Sequence, residues 1–268
     1  MRTLATAILL AGLVAAPRGQ GLSIETGRYD QLLDLNVRDG LVYYQAIKSS
    51  RGSLDEFVGS LAAARIDAAS REEQMAFWLN AYNAIVLKTV IDSYPIRGTA
   101  PNYPPNSIRQ IINAFDRPQR VAGRSLSLDQ IEQTILPAYH DARVFLALGR
   151  GALGSGRLRS EAFVAARLDQ QLAVESTDCI SRASCLQVAR DENTLKVSTI
   201  FAWRRDEFIE SFASKAAAVF RTRSPIERAI VAFVEPQLLQ VEQEFLRRNQ
   251  FKLEYMPFDW ALNDLTGR

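Results

Sequence analysis

The sequence predicts a mainly helical α+β fold, a single domain with a small antiparallel sheet. Three observations carry that prediction. Four capping boxes, Ser53–Glu56, Ser70–Glu73, Ser127–Gln130 and Ser224–Glu227, each stand before an apolar run. Strand signals are fewer and do not alternate regularly with the helices, which argues against a doubly wound sheet. Composition is that of an ordinary globular chain: 268 residues, 47% hydrophobic and 23% charged, which excludes disordered and collagenous classes.

The capping boxes place helices near 54–65, 71–93 (stopped before Pro95), 128–136 (stopped by Pro137) and 225–234, the last with Pro225 at its first position. Pro236 divides that last segment from a helix over 237–248, and amphipathic spacing adds helices at 160–175 and 206–221. Arg143 to Leu148 is a short apolar run ending in Gly149 and reads as a strand. Leu186–Val188 and Thr194–Val197 flank Asp191–Glu192–Asn193 as a hairpin, and Phe251–Tyr255 is a terminal strand.

Residues 1–21 read as a secretory signal, leaving 22–268 as the globular domain. Arg2 supplies the positive start, and the apolar run Leu4–Ala16 spans about 13 residues, short of the roughly 20 needed to cross a bilayer. An uncleaved N-terminal anchor is the alternative. Beyond residue 21 no stretch is long enough for an integral membrane segment. Without Arg2 and Arg18, the 32 basic side chains fall to 30, equal to the 30 acidic ones, so charge gives no support for a nucleic-acid partner. The expected location is periplasmic or extracellular. An oxidising compartment favours a disulfide between Cys179 and Cys185 over a reactive thiol. One His and two Cys exclude a His-rich metal site or a zinc knuckle; no metal and no cofactor is expected.

The segment Gln74–Leu87 is apolar on nearly every side, as in a helix buried all round. Asn80 and Asn83 share one of its faces. Their amides need partners: either the backbone of a neighbouring loop, or a ligand in a cleft. Gly149 to Gly154 matches G-x-G-x-x-G, but no second parallel strand and no acidic strand end follow, so the glycines are read as allowing close backbone approach. An anion contact through Arg150 and the loop amides is the other reading. Ser155 lacks the nucleophile-elbow pattern, and His140, the one His, precedes the run before it.

Several blocks together resemble the bacterial domain-of-unknown-function family 547. They are Asp39–Tyr44, Ala76–Ala84, Val121–Leu128 with Ile131–Glu132, Asp141–Leu148, Leu158–Phe163 and Phe258–Asn263, spanning about 28–264. The resemblance implies a thiol-centred site and a distant likeness to papain-type hydrolases. Typical members carry Asn-Cys where Gly149 and Arg150 stand, Cys-Pro at Ser155 and Gly156, and His at Gln133 and Phe145. A thiol mechanism needs a thiolate and a proton acceptor, and this chain lacks both there.

The sequence therefore predicts a non-catalytic family member that binds a peptide-like or cell-envelope ligand, or a protein partner. Asn80, Asn83, Tyr82, Arg150, Asp259 and Trp260 are its candidate ligand-binding residues. The alternative is a hydrolase of amide or ester bonds with altered chemistry, built from Ser155, Asp259 or Glu132.

Overall fold

The computed structural model describes residues 25–267; the segment 1–21, expected to be a signal, lies outside the described residues. The chain runs α1 (Gly27–Asn36), a hairpin of β1 (Val37–Arg38) and β2 (Leu41–Val42), α2 (Tyr44–Ser49), α3 (Gly52–Leu61) and the long α4 (Arg71–Ser93). Next come the hairpin of β3 (Gln119–Val121) and β4 (Arg124–Leu126) and a one-turn α5 (Leu128–Gln130). Then follow α6 (Leu168–Ser181), β5 (Leu186–Ala189), β6 (Thr194–Ser198), α7 (Ile200–Trp203) and α8 (Arg205–Phe212). The chain closes with α9 (Pro225–Val234), α10 (Gln240–Arg247) and β7 (Lys252–Met256). Helices dominate, and one continuous hydrophobic core joins them. The expected hairpin forms with Leu186 opposite Val197, and β7 adds in parallel on the other side of β6.

Helix α4 is the axis of the core. Every residue from Met75 to Leu87 is buried, and the Ser70 hydroxyl accepts from the Glu73 amide while the Glu73 carboxylate accepts from the Ser70 amide. A helix apolar all round has to be wrapped, and α2, α3 and the 128–139 segment wrap it. The boxes at Ser127 and Ser224 also close as read. Ser53 does not cap: α3 begins two residues earlier, at Gly52, behind Arg51, and Glu56 instead pairs with Arg28.

Other expected elements are corrected. Arg143–Leu148 is not a strand; Ala142–Leu146 is a buried 3-10 helix, its start capped by the Asp141 carboxylate accepting from the Arg143 amide. A short apolar run carries no period that separates the two conformations. The helix expected at 160–175 is displaced to 168–181 because side chains claim the backbone before it. Ala162 N donates to Asp30, Phe163 N to Asn80 and Val164 N to Gln171. The helix expected over 206–221 ends at Phe212 and gives way to two short 3-10 turns.

The segment expected as one helix over 128–136 is three. An α turn at 128–130 widens into a π turn at Ile131–Ile135 and tightens into a 3-10 turn at Leu136–Tyr139, which contains Pro137. Single π turns inside helices recur at functional sites. This one carries Glu132, which is buried.

Candidate functional site

Glu132 is the centre of a buried ionic cluster. Arg150 donates to it from one edge of its guanidinium in bidentate fashion, Nη2 to Oε1 at 2.7 Å and Nε to Oε2 at 3.2 Å. Arg204 Nη2 donates to the same Oε1 at 2.9 Å, and the Tyr82 hydroxyl donates to Oε2 at 2.8 Å. All four side chains are buried. Burial alone would raise the Glu132 carboxyl; the charges and hydrogen bonds of Arg150, then of Arg204, outweigh it and bring it down to about 2. Burial, reinforced by the Glu132 charge, pushes the Tyr82 hydroxyl well above its ordinary value. Arg150 also reaches the Phe145 and Leu148 carbonyls, and Arg204 lies over the Phe145 ring at 4.5 Å.

This cluster floors a cavity of about 320 Å³ whose walls are Arg109, Phe115, Asp129, Gln133, Trp203 and Trp260. The Arg109 guanidinium lies between two rings, 4.4 Å from Phe115 and 4.4 Å from Trp260. Phe258 bridges Trp203 and Trp260, at 4.9 and 4.4 Å between ring centres. Burial and a hydrogen bond with Asp116 raise the Asp129 carboxyl.

The sequence-predicted residues divide among three places. Tyr82, Glu132, Arg150 and Trp260 gather at this cavity. Asn80 and Asn83 bridge backbone instead. Asn80 donates to the Phe163 carbonyl and accepts from the Phe163 amide, both at 2.8 Å. Asn83 donates to Ala147 O at 3.1 Å and accepts from Gly149 N at 2.9 Å. Ser155 and Asp259 line a second cavity of about 400 Å³ with Asn263 and Arg182. There the Ser155 hydroxyl donates to the Ala152 carbonyl at 2.5 Å, and Asp259 accepts from Ala261 N. None of Glu132, His140 and Asp259 hydrogen-bonds to Ser155 Oγ. His140 is exposed and pairs with Glu210 at 2.8 Å.

Close packing of the glycine loop is what makes these placements possible. A Cβ at Gly156 would stand 1.7 Å from the Leu146 carbonyl oxygen, and Gly151 holds φ at +67°. The loop is then pinned by the tail: Leu153 N donates to Ala261 O and Gly154 N to Asp259 O. Asn263 in turn accepts from the Tyr44 hydroxyl and donates to Gly40 O, tying the tail to the β1–β2 turn. Cys179 and Cys185 are disulfide-bonded. Among the described residues no group of three His, Cys, Asp or Glu is placed to hold a metal ion, and no helix is long and apolar enough to cross a membrane.

Arg109, Phe115, Asp129, Trp203 and Arg204 are the cavity residues that sequence reasoning missed. Arg204 follows Trp203 at the end of a four-residue helix, where no motif marks it. The pattern of the family described as "Protein of unknown function, DUF547" matches residues 66–180. That segment is similar to the DUF547 family. No curated protein and no solved structure matches the chain. The match takes in Tyr82, Arg109, Glu132 and Arg150, whereas Trp203, Arg204 and Trp260 complete the same cavity from beyond the DUF547 match. Arg150 and Gln133, at the positions where the resemblance implies Cys and His, both line it.

Proposed function

We propose that the protein is an exported, non-catalytic binding domain whose ligand, of cell-envelope origin, enters the cavity above Glu132. The observation that carries this reading is the occupation of Glu132. Both of its oxygens accept from guanidinium groups, and its carboxyl titrates at about 2. A general base works best with a pKa near the operating pH, so Glu132 is a poor proton acceptor at neutrality. Arg150 stands beside it as a permanent cation with no nucleophilic form. Ser155 has its hydroxyl committed to the Ala152 carbonyl and is hydrogen-bonded to no base among the described residues.

The test sets chemistry against binding. The purified protein is offered ester and amide substrates together with serine- and thiol-directed covalent probes, and Trp fluorescence is followed during ligand titrations. No labelling and no turnover are expected, with quenching of the cavity tryptophans on binding. Hydrolysis abolished by Ser155→Ala would sink the reading in favour of a hydrolase. N-terminal sequencing of secreted material tests export; a mature start near residue 22 is the expected result.

A further inference from the structure

We infer that the cavity takes an acidic sugar, its carboxylate held by Arg109 and Arg204 and its ring lying against Trp260. The inference rests on the binding reading above and names the ligand's chemistry.

Arg204 is 3% exposed, lines the cavity, and has an Nε–H with no acceptor in the protein. A buried donor left unmet is unfavourable, so an acceptor brought by a ligand is favoured beside Arg204. Arg109 is the complementary case. Its guanidinium is exposed and gripped by two aromatic rings, yet it donates no side-chain hydrogen bond to the described residues. A stacked guanidinium keeps its in-plane donors free, and that edge matches a carboxylate in bidentate fashion. Of the three guanidinium groups on the lining, Arg150 is paired with Glu132 and Arg204 with Glu132 and Glu207, whereas Arg109 has no ion pair among the described residues. Arg109 is therefore the cation that an incoming anion would meet.

The rest of the lining selects the body that carries the charge. Trp260 and Trp203, 6.2 Å apart, offer flat apolar faces with polar edges. Gln133 and Asp129, the latter hydrogen-bonded to Asp116, supply both donors and acceptors to the lining. A sugar ring has that same division, an apolar face and hydroxyls around its edge. A volume of about 320 Å³ lies at the small end of ligand cavities, a size for one ring and its substituents. A peptide C-terminus would present a carboxylate without the ring of hydroxyls.

The full chain is titrated with D-glucuronate, D-galacturonate and N-acetylmuramate, beside glucose, galactose and N-acetylglucosamine. N-acetyl-L-tryptophan stands in for a peptide carboxylate, with Trp fluorescence and saturation-transfer NMR as readouts. At least one of the acids is expected to bind at least tenfold tighter than its neutral counterpart. Arg109→Ala is expected to erase that preference at an unchanged melting temperature, since Arg109 is exposed. Trp260→Leu should weaken acid and neutral sugar alike, which separates stacking from charge. Equal affinity for acids and neutral sugars, no binding by any of the three acids, or tighter binding of N-acetyl-L-tryptophan would overturn the inference. If N-acetyl-L-tryptophan alone binds, the ligand class falls and the binding reading stands. If the methyl ester of a uronate is turned over while the acid still binds, the non-catalytic reading falls and the ligand class stands.

Discussion

Two buried carboxylates in this protein are driven in opposite directions. Glu132 sits between two guanidinium groups, Arg150 and Arg204, and is held at about 2. At the other site the ratio is inverted: Arg159 is shared between Glu161 and Glu175. Glu175 receives one hydrogen bond from Arg159 at 2.8 Å, while its second oxygen and the Arg159 Nε are buried without partners. Burial there outweighs Arg159 and lifts the Glu175 carboxyl to about 7. The two glutamates are about equally buried. What separates them is the number of cations each can claim, because burial penalises a charge whose hydrogen-bonding capacity is not filled.

The comparison is broken most severely at Glu132. Glu132→Gln leaves the buried Arg150 without its counter-charge and Arg204 with Glu207 alone, and is expected to cost about 3–5 kcal/mol, read from urea denaturation midpoints. Wild-type protein should show the matching acid limb. The folded carboxyl is depressed below its unfolded value, so its contribution is complete above about pH 4.5 and is lost as pH falls towards 2.

Glu175 carries the opposite sign. Its folded pKa is raised, so its favourable contribution is present below about pH 4.5 and is lost as pH climbs through 7. Glu175→Gln is therefore expected to stabilise above pH 7, on the order of 2–3 kcal/mol, and to flatten the neutral limb of a melting-temperature profile. An unchanged profile would mean that Glu175 is solvated or better paired than its buried position implies.

A neutral polar bridge tests whether charge is needed for such effects. Asn80→Ala strands the amide and carbonyl of Phe163 and is expected to cost about 1–3 kcal/mol by thermal or chemical melting. The smallest effect belongs to the exposed Arg28–Glu56 pair. Its removal by Arg28→Ala is expected to change stability by less than about 1 kcal/mol.

Local chemistry was legible in the sequence where it acts within one turn. The boxes at Ser70, Ser127 and Ser224 close as read, because cap and partner lie three residues apart. The all-round apolar pattern of α4 announced its burial, and the two Asn within it required partners. Elements that depend on distant groups were not legible. The delayed start of α6 is set by Asp30, Asn80 and Gln171, which lie elsewhere along the chain. The candidate site was half legible. Glu132, Arg150, Tyr82 and Trp260 were singled out, but the second cation was not, since Arg204 is 72 positions from the carboxylate it serves. Nothing in sequence spacing couples residues across that separation.

The cavity's division across the chain decides how the protein can be cut. A fragment ending at Ser181, the last residue of α6, would keep Glu132 and Arg150 but lose Trp203, Arg204 and Trp260. It would also leave Cys179 without the cysteine it is bonded to. Such a piece would expose the Phe145 ring that Arg204 covers. Expression boundaries for this protein therefore have to run past Asn263, whose side chain closes the far end of the chain onto its beginning.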